Sequence, residues 1–210
     1  AKVYQKLWTD NGSPLLYYSE QVTALLQQEL GASHDVYLAM RYKNPSIPAV
    51  LDEMRKKNYS KIIVVPMFPQ YASASTGSAL EEVMRVISKW WVIPELKVIS
   101  QYYDHPLYID AFVDRGKQFD IANYDHVLFS YHGLPERQVD KVYDESLCSD
   151  HDCEKEITEE NKYCYKATSY ATTRLLAQRL GIPENKYTVC FQSRLDKKWL
   201  TPFSDEVVEE

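Results

Sequence analysis

Short apolar runs alternate with amphipathic stretches along this chain. VYLAMRY (36–42), KIIVVPMFP (61–69), LKVISQYY (96–103), HVLFSYH (126–132) and YTVCFQS (187–193) are β-rich and close to continuous. Strands buried on both faces read in this way. Between them, apolar residues fall at helical spacing. Leu15, Tyr18, Val22, Leu25 and Leu26 share one face, with Pro14 in the first turn and Gly31 at the stop. Ile47, Val50, Leu51 and Met54 form another stripe, and Leu80, Val83, Met84 and Ile87 a third. Tyr163, Ala167, Tyr170, Ala171 and Leu175 form a fourth, ended by Gly181-Ile182-Pro183. The alternation predicts an α/β class with parallel sheets joined by right-handed crossovers. Two halves of similar grammar are expected, 1–104 and 105–210. An insertion at 138–163, acidic and cysteine-bearing, interrupts the latter half. The first half begins with a helix rather than a strand and the chain ends in SDEVVEE, so both ends read as cut.

Composition narrows the partners. With 210 residues the chain can bury a real core, and its net charge of −6 argues against broad nucleic-acid binding. Seventeen tyrosines and four tryptophans supply core packing and surfaces for flat ligands. No apolar run reaches the roughly 20 residues that span a bilayer, and no signal peptide opens the chain. Four unevenly spaced cysteines do not read as a secreted disulfide framework, so a reducing cytoplasm is expected.

In open parallel sheets, ligands gather beyond the carboxyl ends of the strands. Four segments follow strands here: RYKNP at 41–45, PQYASASTGSAL at 69–80, HGLPER at 132–137 and SRLDKKWLTP at 193–202. PQYASASTGSAL has the small residues and glycine of a phosphate cradle, but a phosphate loop needs GxxxxGK[ST] and no lysine follows Gly77. Ser75 or Thr76 can simply cap a helix, or the small residues can let a planar ligand approach the backbone. His132 ends a strand just before a Gly-Leu-Pro turn. A histidine there can be a packed strand-end residue, a proton carrier near neutral pH, or a metal ligand. No GxSxG elbow supports a serine hydrolase. Cys148, Cys153 and Cys164 are spaced C-x4-C-x10-C, and Cys190 lies alone on a strand. Unligated thiols, a structural zinc in which His151 replaces one sulfur, and a [2Fe–2S] cluster all remain open.

SYHGLPER, PMFPQYASASTGSALEEV, AMRYKNPS and FQSRLDKKWLTPFSDE together resemble the ferrochelatase family, in the expected order and over nearly the whole chain. The resemblance implies two parallel α/β halves with a porphyrin in a cleft between them, and insertion of ferrous iron into protoporphyrin IX. It places the catalytic histidine on His132, which can also meet the Fe2+ substrate. It places porphyrin contacts on Arg41, Tyr42, Tyr71, Ser73, Ser75, Thr76 and Gly77, and on Ser193, Arg194 and Trp199. Some bacterial members carry an internal cysteine set holding a [2Fe–2S] cluster, which implies Cys148, Cys153, Cys164 and Cys190 as ligands. The family's first strand, its membrane-facing lip and its active-site glutamate would lie outside these residues. The chain then reads as a fragment, inactive alone, of a cytoplasmic enzyme with a peripheral membrane contact. Departures are Ala72 and Ala74 in PQYASAS and the missing proline before Trp199. The rival readings are a chelatase for coproporphyrin or sirohydrochlorin, and a tetrapyrrole or Fe–S binding module without chemistry.

Overall fold

A computed structural model describes residues 7–143 and 152–209. The chain is α/β, with parallel strand pairs flanked by helices, and it divides into two compact units. One comprises Ala1–Ile62 and Ala79–Leu96, the other Ile63–Ser78 and Lys97–Glu210. This is not a single cut near 104. Segments 63–78 and 97–104 go with the second unit because hydrogen bonds tie them there. Gln70 Nε2 donates to Thr172 Oγ1 at 3.0 Å. Thr172 Oγ1 in turn donates to the Tyr103 carbonyl at 2.9 Å.

In the first unit, helix α1 spans Pro14–Leu30 and α2 spans Ile47–Lys57. Ser46 caps α2, its hydroxyl accepting the Ala49 N–H, and Asn58 closes it in the left-handed region at φ 55°. Ile47, Val50 and Leu51 are buried as their spacing predicts. The stripe on α1 behaves differently: no residue of that helix is buried, and Leu15, Tyr18 and Leu25 are exposed. The expected strand at 36–42 does not form either. A strand needs a neighbour's ladder, and here the side chain of Gln27 substitutes for one. Its Oε1 accepts the Val36 N–H at 2.8 Å and its Nε2 donates to the His34 carbonyl at 2.9 Å. Only Met40 makes a bridge, to Ser46.

Strand β1 (Lys61–Val64) pairs with β2 (Glu95–Val98). The bonds from Glu95 N–H to Ser60 O and from Ile99 N–H to Val64 O advance together along both chains, so the pair is parallel. β1 is shorter than its apolar run, which contains Pro66, a residue without an N–H for a ladder. Helix α3 covers Ser78–Ile87.

The second unit is built on a parallel pair, β3 (Val127–His132) and β4 (Tyr187–Gln192), in register from Val127↔Tyr187 to His132↔Gln192. Helices α4 (Pro106–Gly116) and α5 (Tyr165–Leu180) pack on one face, where Ile109, Val113 and Leu176 meet Phe129. β3 alternates half-buried and exposed residues, unlike the doubly buried strand its composition suggests. Its other face carries Leu128, Ser130 and His132, and Ser130 Oγ meets Ser204 Oγ of α6 (Ser204–Glu209) at 3.0 Å. α5 ends in a Schellman turn: Ile182 N–H donates to the Ala177 carbonyl at 2.9 Å, past Gly181 at φ 69°.

α5 buries more than its apolar stripe. Thr168, Ser169, Thr172 and Thr173 are all buried. Each hydroxyl is satisfied: Thr168 and Ser169 bond carbonyls three or four residues back, and Thr173 meets the Tyr131 hydroxyl at 2.9 Å. Burial raises the Tyr131 phenol, which therefore stays protonated in this pair. Thr172→Val would keep the shape of the side chain but strand the Gln70 amide and the Tyr103 carbonyl. The expected loss is about 1–3 kcal/mol, read as a lower urea midpoint with an unchanged slope.

Candidate active site

The segment after β3 is fixed by backbone contacts with the segment after β4. Gly133 N–H donates to the Gln192 carbonyl at 2.7 Å, carrying the ladder one residue beyond His132. From there the two chains run antiparallel. Leu200 N–H donates to Leu134 O at 2.9 Å, Glu136 N–H donates to Lys198 O at 3.0 Å, and Pro135 bridges Trp199. A Cβ on Gly133 would lie 2.9 Å from the Gln192 carbonyl oxygen and 3.3 Å from the Trp199 ring, so only glycine fits.

His132 is exposed at the end of β3. Its Nδ1 lies 2.7 Å from the Gly133 carbonyl, and its ring centroid is 6.5 Å from that of Trp199. A carbonyl oxygen can only accept, so in the neutral ring Nδ1 carries the proton. Nε2 is left with its lone pair, the atom able to take a proton or meet a cation.

Beside this turn is a cavity of about 590 Å³, lined by Tyr71, Ala72, Ser73, Leu134, Tyr163 and Tyr165 among others. The first three come from the small-residue segment after β1, which continues as a π-helical turn at Ser73–Gly77. Tyr71 packs edge-on against Tyr163 with centroids 5.9 Å apart. Gly77 lies close by, and a Cβ there would sit 3.1 Å from the Tyr71 hydroxyl, a tight approach. In this unit the fold therefore brings Tyr71 and Ser73 to the same cavity as Leu134, two residues after His132. The sequence motifs miss Tyr163, Tyr165 and Gln138 at this cavity. Their one signal is the aromatic pair that flanks Cys164 at the start of α5.

Other expected site residues have different engagements. Thr76 is 0% exposed, so it cannot touch a ligand without rearrangement; its Oγ1 has no hydrogen-bond partner among the described residues. Arg194 is held by Glu206 at 2.7 Å and Asp205 at 2.7 Å, and its guanidinium stacks 4.0 Å from the Phe203 ring centroid. Glu206 foremost keeps that group in its charged form. Arg194 thus ties the FQSR turn to α6. Ser193 takes the left-handed conformation at φ 66° and is exposed, while Ser75 is half-buried. Arg41 and Tyr42 belong to the first unit, with the Arg41 guanidinium 4.9 Å from the Tyr42 ring centroid.

The cysteines do not assemble as expected. Cys153 and Cys164 lie in one buried cluster with Val139, Val189 and Phe191. Cys190 is also 0% exposed, but successive strand residues point to opposite faces. Since Val189 and Phe191 point into that cluster, Cys190 points away from it. Its Sγ is 3.9 Å from the Phe129 carbonyl. Cys148 and His151 lie outside the described residues. Among the described residues no three His, Cys, Asp or Glu side chains converge as a metal site. Among the described residues Cys190 therefore does not stand with Cys153 and Cys164, and a cluster on these cysteines is not supported.

A parallel α/β scaffold with a histidine at a strand's carboxyl end, next to an aromatic-lined cavity, has the form of α/β proteins that bind ligands at their strand ends. The ferrochelatase family model matches residues 1–210. The ferrochelatase of Legionella pneumophila (strain Paris) is 41% identical over 211 residues, covering 100% of this chain and 62% of that protein. The ferrochelatase of Coxiella burnetii (strain RSA 493 / Nine Mile phase I) is 38% identical over 213 residues, covering 100% of this chain and 59% of that protein. The chain belongs to the ferrochelatase family, and it spans about three fifths of the length of these curated relatives. Gly133→Ala would push a methyl group against a backbone oxygen that cannot swing aside. The expected cost is about 1–3 kcal/mol, measured by urea unfolding.

Proposed function

We propose that the whole protein inserts ferrous iron into protoporphyrin IX, with His132 as the base. The observation that carries this reading is the 2.7 Å contact between His132 Nδ1 and the Gly133 carbonyl. In the neutral ring it puts the proton on Nδ1 and leaves the lone pair to Nε2, on an exposed strand end.

Metalation exchanges two pyrrole N–H protons for one Fe2+, so charge balances when both protons leave. Nε2 takes the two pyrrole protons in turn and releases each to solvent before the next is taken. In the free macrocycle the nitrogen lone pairs lie near the ring plane, so a pocket that bends the ring exposes them to the entering metal. Tyr71, Ser73 and Trp199 supply the packing surface, with Ser75, Gly77 and Ser193 as small neighbours. A reducing compartment such as the cytoplasm suits a reaction that needs iron in its ferrous state. Among the described residues no helix is long and apolar enough to cross a membrane. The chain alone, at three fifths of its relatives' length, is inactive in this reading.

In the whole protein, His132→Ala is expected to reduce iron insertion by about 10²–10⁴-fold and to leave porphyrin binding, read by tryptophan quenching, within about threefold. Near-normal turnover would remove His132 from the mechanism. Parallel titrations with protoporphyrin, coproporphyrin and sirohydrochlorin decide the substrate, with protoporphyrin expected to bind most tightly.

A further inference from the structure

The peptide between His132 and Gly133 is held at both ends. Its N–H donates to the Gln192 carbonyl at 2.7 Å. Its carbonyl points the other way, away from β4, because N–H and C=O of a trans peptide are opposed. That oxygen receives the Tyr165 hydroxyl at 3.0 Å. The next carbonyl, that of Gly133, accepts the imidazole Nδ1. The ring acceptor belongs to the following peptide, one residue beyond the plane that Tyr165 and Gln192 pin together, so it is positioned relative to that plane.

Tyr165 is well built for such a hold. It is the first residue of α5, whose buried hydroxyls anchor the helix, and Ser169 Oγ donates to its carbonyl at 2.8 Å. Its ring lines the cavity with Tyr71 and Leu134. Burial pushes its phenol up to about 12, so at neutral pH it remains a donor.

We propose that Tyr165 is a positioning residue for His132: its hydroxyl fixes the strand-end peptide and thereby keeps the imidazole in the Nδ1–H form with Nε2 free. The catalytic consequence rests on the chelatase reading, whereas the coupling between the two side chains does not.

The test is Tyr165→Phe in the whole protein, with two readouts. Without substrate, ring ¹⁵N chemical shifts of neutral His132 report the tautomer. Wild type is expected in the Nδ1–H form, and the variant is expected to shift toward Nε2–H. With substrate, kcat for iron insertion is expected to fall about tenfold, the effect of one lost hydrogen bond. The porphyrin KM is expected to change by less than about twofold. Unchanged ring shifts overturn the proposal, and so does a loss confined to KM. Should wild type insert iron into no porphyrin, the chelatase reading fails, and the ring shifts alone still decide the role of Tyr165.

Discussion

The approach of two main-chain segments at Gly133 and Gln192 is the constraint on which the rest of the second unit turns. An N–H···O contact of 2.7 Å leaves no space for a Cβ, which would sit 2.9 Å from the accepting oxygen. Because residue 133 is glycine, the β3–β4 ladder runs its full length and one residue more. Both chains then turn together, so that Leu134 meets Leu200 and Pro135 meets Trp199. His132 owes its place to this contact. It is the last residue of β3, and the ladder's hydrogen bonding continues one residue past it, so its backbone is held on both sides although its ring is exposed.

α5 shows another way of holding the site rigid. A helix with four buried hydroxyl side chains is unpromising as core at first sight, because polar groups lose water on burial. Short hydroxyls escape that penalty by bonding carbonyls one turn back in the same helix. Thr168 and Ser169 do this, and Thr172 and Thr173 also reach Gln70, Tyr103 and Tyr131. Segments distant in sequence, around 70 and 103, are thereby tied to α5 and drawn into the second unit.

Such tertiary ties mark the limit of what is legible in the sequence. β3, β4 and the HGLP and FQSR turns can be read directly, because each strand has its partner inside the same unit and glycine and proline punctuate the ends. The run at 36–42 has the same composition as the true strands. Composition cannot say whether a neighbouring ladder exists, and here Gln27 stands in for it. The stripe on α1 is equally clear as a pattern, yet a pattern shows which face is apolar and not what covers it. For Arg194 the residue type points to an anion. It does not show that Asp205 and Glu206, eleven and twelve residues on, fold back to provide two. Residue type alone also makes Cys190 a fourth ligand. The two-residue period of a strand already sets it opposite Val189 and Phe191. Only the coordinates show that those two face Cys153 and Cys164.

The same period explains why His132 is available for chemistry. β3 presents Phe129 and Tyr131 to the helices and Leu128, Ser130 and His132 to the other face. Had the strand been buried on both faces, as its apolar composition suggests, an imidazole at its end would need a buried partner for each nitrogen. On this half-open strand one nitrogen is satisfied locally by Gly133 and the other can be left free at little cost. Ser130 reaches Ser204, and Arg194 reaches Asp205 and Glu206, so α6 steadies the strand and the turn around that open face. Order and accessibility, which usually oppose each other, coincide at His132 because the contacts that fix it are made by its backbone and by Nδ1.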